Sequence, residues 1–480
     1  MSGTSPARRG RPGNTVIGLP PPQDVVEAAL AAAGGDCIVV VEESSEVEVR
    51  FANNRTTTNG ARRDRRTTVV RFVEVDGGVA AGVARQAGAA DPGALAAAAE
   101  RDACGSPAAE DAAPLVTAED RRRADDGRFG DPPSPTGLDV LGGVLGTLAG
   151  AFGRAAAADR VLAGFAEHGV ATTYLGSSTG LRLRHAQPTG AFHLVARSTD
   201  GTRSSWVGAG SADFTDVDVD ALDDEVAQAL ARAQRRVDLP AGRYETILPP
   251  AAVADLMTAL IDAASGHEAE EGRTVFSAPG GGTRLGQALS PLALELRSDP
   301  AEPGLGCEPF LAAAASSADV SVFDDGLPLE RTVWVDGGRL ARLRYHRAGA
   351  ARSQVPPAPP VDNLILELPG SGGSVDDLVA STERGLLVTC LWYIREVDPA
   401  TLLLTGLTRD GVYLVEDGAI VGAVNNFRFN ESPVDLLARA SEVGASVRTL
   451  GREFGEWLNR ASMPPLRIPD FNMSSVSQAS

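Results

Sequence analysis

Two apolar rhythms alternate along the chain. Alternation near period two, bounded by turn residues, predicts strands at Cys37–Glu42, Val47–Asn53 and Thr67–Val75, then Val79–Ala84 after the turn Asp76-Gly77-Gly78. Spacing near 3.6 predicts helices over 24–34, Pro92–Glu100 and 146–168. A second strand cluster follows at 170–175, 180–186, 190–198 and 203–209, with Asp200-Gly201 as a turn. Residues 219–237 are helical, acidic early and Arg-rich late, which suits the helix dipole. A strand at 243–248 leads through Pro249-Pro250 into a helix over 251–265, the prolines standing where a first helical turn tolerates them. The last third predicts strands at 330–335, 339–346, 361–368, 385–392, 401–407, 411–416 and 419–424, with turns at Asp336-Gly337 and Asp417-Gly418 and short helices over 432–441 and 453–460.

These elements give an α+β class: an N-terminal α/β domain, a central domain and a C-terminal β-rich, mostly antiparallel domain. The expected boundaries are a disordered leader over 1–22, an α+β domain over 23–103, a flexible insert or linker over 104–140, a second α+β region over 141–240 and the β-rich domain over 241–480. The two strand clusters of the N-terminal half echo each other too weakly to define a repeat.

Composition narrows the function. The 480 residues contain no lysine, so all 44 basic residues are Arg, against 63 Asp and Glu, for a net charge of −19. Such a surface repels phosphate backbones, and no nucleic-acid partner is expected. The run Arg62-Arg63-Asp64-Arg65-Arg66 is read as a solvated hairpin. Cys37, Cys104, Cys307 and Cys390 form no C-x-x-C pair, which suits free thiols in a reducing compartment. The N-terminus lacks the apolar core of a signal peptide, and no long uninterrupted apolar run predicts a membrane span, so a cytoplasmic location without membrane association is expected.

Several constellations could carry chemistry. His267-Glu268-Ala269-Glu270-Glu271 is a near match to H-E-x-x-H, in which two histidines on one helical face hold zinc and the Glu acts as base. Gly266 and Gly272 bracket it and leave little helix, so a solvated charged turn is the plainer reading. His185 and His193 are expected on adjacent strands, with a metal pair the lesser alternative to packing. Gly280–Gly286 lacks the Gly-Lys-Ser/Thr ending of a phosphate loop. Gly176-Ser177-Ser178-Thr179-Gly180 matches the nucleophile-elbow pattern, but strands flank it on both sides, which makes a hairpin. Asn425, Asn426, Arg428 and Asn430 form a polar group beside an edge strand; such groups suit peptide-backbone recognition, or else satisfy their own turns.

At the segments 50–69, 273–287 (RTVFSAPGGGTRLGQ), 325–329 and 383–424 the chain resembles the TldD/PmbA family, named for modulators of DNA gyrase and containing metallopeptidases. The likeness runs from about residue 23 to the C-terminus. It implies TldD–PmbA (TldE) pairs in which only the TldD-type chain binds zinc through H-E-x-x-x-H and a Cys near the C-terminus. Counted back from Phe276-Ser277, the two His and the Glu of that motif fall on Met257, Asp262 and Thr258, and no Cys follows Cys390. The resemblance therefore implies the PmbA/TldE-like branch: no metal or cofactor in this chain, zinc in a TldD-type catalytic partner, and an unfolded peptide as substrate. The alternatives are a metallopeptidase active by itself through His267, Glu268 and Glu271, and a stand-alone peptide-binding protein.

Overall fold

The computed structural model describes residues 18–119 and 128–477. Most of the expected leader, residues 1–17, and part of the expected linker, 120–127, lie outside the described residues. The chain divides into two compact units, one comprising residues up to Val47 with Gly60–Leu138 and Gly169–Gln187, the other Glu48–Asn59, Asp139–His168 and Pro188–Ser480. The class is the expected α+β.

The N-terminal half is helix α1 (Pro22–Ala33), strands β1 (Cys37–Ala52), β2 (Arg55–Val75) and β3 (Gly78–Ala87), and helix α2 (Pro92–Gly105). The same order then recurs: α3 (Gly142–Ala157), β4 (Arg160–Ser177), β5 (Arg182–Ser198), β6 (Ser204–Ser211) and α4 (Val219–Arg232). All six strands join one sheet in the order β3-β2-β1-β4-β5-β6. The order of helix, three strands and helix thus occurs twice along the chain.

Several local expectations are corrected. The polar stretch Glu43–Glu46, left between two expected strands, lies inside one continuous strand. The Arg62–Arg66 run is part of β2, and the turn before it is Asn53-Asn54, both with positive φ (53° and 57°), a conformation that Asn tolerates better than most side chains. Within the first unit, Arg65 is buried and ion-paired to Glu43, not solvated. The helix expected over 146–168 ends at Ala157: Asp159 turns the backbone into the left-handed region (φ 51°), and residues from Arg160 on are strand. His185 and His193 sit on one strand, β5, rather than on neighbours.

In the first unit, Val25, Val26, Ala29, Val39, Val41, Val69, Leu95 and Ala99 form a core under α1 and α2. Gly82 is required there, because a Cβ would stand 2.2 Å from the Ala99 carbonyl oxygen of α2. Residues 106–119 and 128–137 carry little regular structure and are tied down by hydrogen bonds, among them Tyr174 Oη to the Asp131 carbonyl (2.6 Å) and Ser134 N–H to Thr172 Oγ1 (3.0 Å).

Leu138–Ala157 has the length and hydropathy of a membrane span. Within its unit, however, the helix buries a stripe of Val144, Leu148, Ala151 and Ala155, and Arg154 ion-pairs with Asp220 and Asp223 of α4, as in a globular domain.

The C-terminal region is built on two further sheets. The smaller runs in the order Arg339–Leu340, Thr332–Asp336, Glu295–Ser298, Leu364–Glu367, Ala461–Met463, Val447–Thr449. The larger contains a closed ring: Arg384–Asp398 pairs with Gly242–Leu248, which pairs with Leu466–Val476, then Phe427–Glu431, then Leu403–Glu416, which returns to Arg384–Asp398. Closure removes the exposed edges that an open sheet would present. The strands expected at 401–407 and 411–416 are one strand, bent at Asp410 (φ 52°). Helix α5 (Pro250–Asp262) lies among these sheets, with Ala252, Val253, Leu256, Met257 and Leu260 buried in the largest apolar core of the unit. No helix forms over the expected 453–460; that segment is a series of turns.

A cavity under a retained helix

One face of α5 is apolar enough to sit in a core, and the next face opens on a cavity of about 430 Å³. Thr258, Ile261 and Asp262 reach the cavity from the helix; Trp334, Ile394, Leu404, Phe454, Trp457 and Leu458 supply apolar walls; Glu268, Arg273, Arg344 and Glu396 stand around them. Trp334 is fixed by an Nε1–H bond of 2.9 Å to Ser298 Oγ. Phe454 and Trp457 stack with centroids 5.3 Å apart, and Trp457 is 75% exposed.

The wall bearing Phe454 and Trp457 is held by one buried carboxylate. Asp255 accepts from the backbone N–H groups of Arg452 (3.0 Å), Glu453 (3.1 Å) and Phe454 (2.9 Å). Burial of the charge outweighs these donors and pushes the carboxyl up to about 7. Gly451 allows the close approach, since a Cβ there would stand 2.4 Å from Asp255 Oδ1. The neighbouring Arg452 guanidinium lies between Trp392 and Trp206, 4.4 and 5.0 Å from their ring centroids.

The residues singled out in the sequence do not converge on a metal. Met257 is 1% exposed and packed in the core. Thr258 returns its hydroxyl to the Ala254 carbonyl (2.8 Å), a bond internal to the helix. Of these three, Asp262 alone brings a carboxylate to the cavity lining. Among the described residues, no group of three or more His, Cys, Asp or Glu side chains is placed to hold a metal ion. His267 Nε2 lies 3.4 Å from Glu271 on the short helix Gly266–Glu270 and the residue after it, and both side chains are partly exposed. Arg273 pairs with Glu271 and, at 3.6 Å, with Glu268, so the three expected residues form an ion-pair cluster beside the cavity. Of the H-E-x-x-H look-alike, Glu268 alone lines the cavity.

The amide group resolves into structural contacts. Asn425 is buried and accepts from Leu239 N–H (2.7 Å); Asn430 Oδ1 accepts from Thr405 Oγ1 (2.8 Å); Arg428 donates to the same hydroxyl (3.2 Å); Asn426 Oδ1 accepts from Thr408 Oγ1 (3.4 Å). Asn425 and Asn426 border a separate cleft of about 250 Å³, and none of the four lines the cavity under α5. Ser177 and Thr179 share a hydrogen bond in the hairpin between β4 and β5, not an elbow. His193 is buried, stacked on Phe165 at 4.4 Å, and desolvation lowers it to about 3. All four cysteines are free; burial raises Cys37 and Cys307, to about 11 and 12, and raises Cys390.

Residues 241–475 match the family profile of the PmbA/TldA metallopeptidase C-terminal domain. The chain belongs to the TldD/PmbA family. No curated protein matches it by sequence. Its fold is similar to that of TldE from Thermococcus kodakarensis, with 16% identity, a TM-score of 0.74, and coverage of 94% of this chain and 99% of that one. It is also similar to a protein provisionally assigned as a modulator of a DNA gyrase from Thermotoga maritima (17% identity, TM-score 0.73, 94% and 99% covered). A third similar structure, from Bacteroides thetaiotaomicron, bears the same provisional assignment (15% identity, TM-score 0.69, 95% and 99% covered).

Within this TldD/PmbA chain, the residues at the positions that the resemblance gives to the zinc motif do not fit zinc: a core methionine, a helix-bonded threonine and a single carboxylate. Sequence reading missed Glu396, Trp457 and Asp255. Asp255 had a signal, a lone acid at a core position of an apolar helix. Trp457 had a weaker one, an aromatic three residues after Phe454 in a short stretch that mixes them with Glu453, Glu456 and Asn459.

Proposed function

We propose that this chain is a non-catalytic, PmbA/TldE-like subunit of a cytoplasmic two-chain zinc peptidase. In this reading it helps to hold unfolded peptides while a TldD-type partner supplies the zinc and its activated water. The observation that carries the reading is Met257: at the position that the resemblance gives to the first zinc ligand stands a side chain sealed in the core of a regular helix. The cavity on the adjacent face, walled by apolar side chains and edged by charged ones, supports a peptide-handling role.

The test is metal analysis of the purified chain, with cleavage of an unstructured peptide by the chain alone and by the chain mixed with the TldD-type protein of the same genome. The expected result is substoichiometric zinc, no cleavage alone and cleavage by the mixture. EDTA-sensitive cleavage by the chain alone, lost in His267→Ala, would overturn it in favour of a self-sufficient peptidase. Tight peptide binding with no complex formed between the two chains would overturn it in favour of a stand-alone binding protein.

A further inference from the structure

The charges around the cavity do not balance. Arg273 is taken by Glu268 and Glu271, and Arg344 by Asp319 at 2.9 Å and by the Asp262 main-chain carbonyl. The Asp398 carboxylate is occupied by its own turn, accepting from Ala400 N–H (3.1 Å) and Thr401 Oγ1 (2.8 Å). The side chains of Asp262 and Glu396 also line or border this space, and among the described residues neither has a cationic or hydrogen-bonding partner. Burial, and then the Asp262 charge, raise the Glu396 carboxyl. Beside them lies the Phe454–Trp457 stack, whose outer ring is the most exposed large apolar side chain described. Two unmatched carboxylates, an exposed aromatic face and an apolar shaft are complementary to a long side chain with a cationic head.

We propose that the cavity under α5 is a specificity pocket for a cationic side chain, Arg or Lys, of an extended peptide, its stem along Ile261, Ile394 and Leu458 and its head at Asp262, Glu396 and Trp457. The inference rests on the peptide-handling reading and adds to it a preference. The position that the family resemblance gives to a zinc-binding His has become, in Asp262, part of an anionic side-chain pocket.

The experiment uses the full chain, with and without its TldD-type partner. The probes are Gly/Ser/Ala dodecapeptides, acetylated and amidated at their ends so that no terminal ammonium can occupy the pocket. One carries a central Arg, one a central citrulline of nearly the same shape without the charge, and one a central Glu. Affinity is read by calorimetry. The expected result is that citrulline binds about tenfold more weakly than Arg and Glu more weakly still, the loss of a charge-assisted pair. Asp262→Asn with Glu396→Gln abolishes the Arg preference while binding the citrulline peptide as the unaltered chain does, and Trp457→Ala weakens Arg and citrulline peptides alike. Equal affinity for Arg and citrulline peptides would overturn the cationic pocket and leave the peptide-handling role standing. Failure of every peptide to bind, with or without the partner, would overturn both.

Discussion

Asp255 shows what one buried carboxylate does at the residue scale. Its three N–H donors belong to the segment that carries Phe454 and Trp457, so its protonation state reaches the cavity wall. A carboxyl raised from 3.8 to about 7 in the folded chain binds its proton more tightly folded than unfolded. Its contribution is fully present below pH 4 and is lost as the pH rises through 7. Between pH 5 and 8 the chain should lose ~2–3 kcal/mol of stability that Asp255→Asn does not lose. Urea unfolding of both proteins at the two pH values measures the difference. Parallel profiles would mean that the N–H donors hold the carboxylate ionised throughout. The site was partly legible at this scale. Met257, Thr258 and Asp262 were reached by counting back from Phe276-Ser277 under the resemblance. Glu396 and Trp457 could not be reached that way, because a cavity gathers segments far apart in sequence and no local pattern marks an unpaired carboxylate.

At the element scale, turns were the most legible features. Asp76-Gly77, Asp200-Gly201, Asp336-Gly337 and Asp417-Gly418 are all tight turns between strands, since each puts a glycine at positive φ. Strand lengths were not legible. Glu43–Glu46 and Arg62–Arg66 look like loops because their polarity hides a ladder whose energy lies in backbone pairing. The closed ring of strands near the C-terminus was invisible for a related reason: nothing local says that Arg384–Asp398 meets both Gly242–Leu248 and Leu403–Glu416. Arg467 on the strand Leu466–Val476 secures that ring. Its buried fork reaches Glu442 (2.9 Å), Glu245 (2.9 Å), Thr382 Oγ1 (2.7 Å) and the Leu378 carbonyl (3.0 Å). Arg467→Met should cost about 3 kcal/mol, because it strips Glu245 and Glu442 of the cation they share and removes the charge-assisted bonds that the guanidinium gives to Thr382 and the Leu378 carbonyl. Arg467→Lys should recover less than half of that, since an ammonium cannot span four partners set for a planar fork. Chemical denaturation of the two variants reads both numbers. A loss in Arg467→Met no larger than that of an exposed ion pair, under 1 kcal/mol, would remove Arg467 from this role.

At the scale of the whole molecule, the recurrence of helix, three strands and helix, first from α1 to α2 and again from α3 to α4, is architecture that sequence similarity between the halves was too faint to reveal. The charge balance, by contrast, is fully legible in the sequence and bears on the name that two similar structures carry, modulator of a DNA gyrase. Binding to duplex DNA draws its affinity from Lys and Arg that neutralise phosphates and release counterions. Here 63 acids face 44 arginines. Within the basic run of β2, Arg62 is paired to Asp64 at 2.8 Å and Arg65 is buried against Glu43. The chain should therefore produce no shift of a random duplex at 50 mM salt, where nonspecific binding is strongest, at protein concentrations up to ~10⁻⁵ M. A shift that weakens tenfold or more between 50 and 200 mM salt would show several phosphates neutralised. It would then require the arginines to form a basic surface despite the overall charge. Absence of a shift, together with peptide binding, would locate any influence on a DNA enzyme in the handling of polypeptide rather than of DNA.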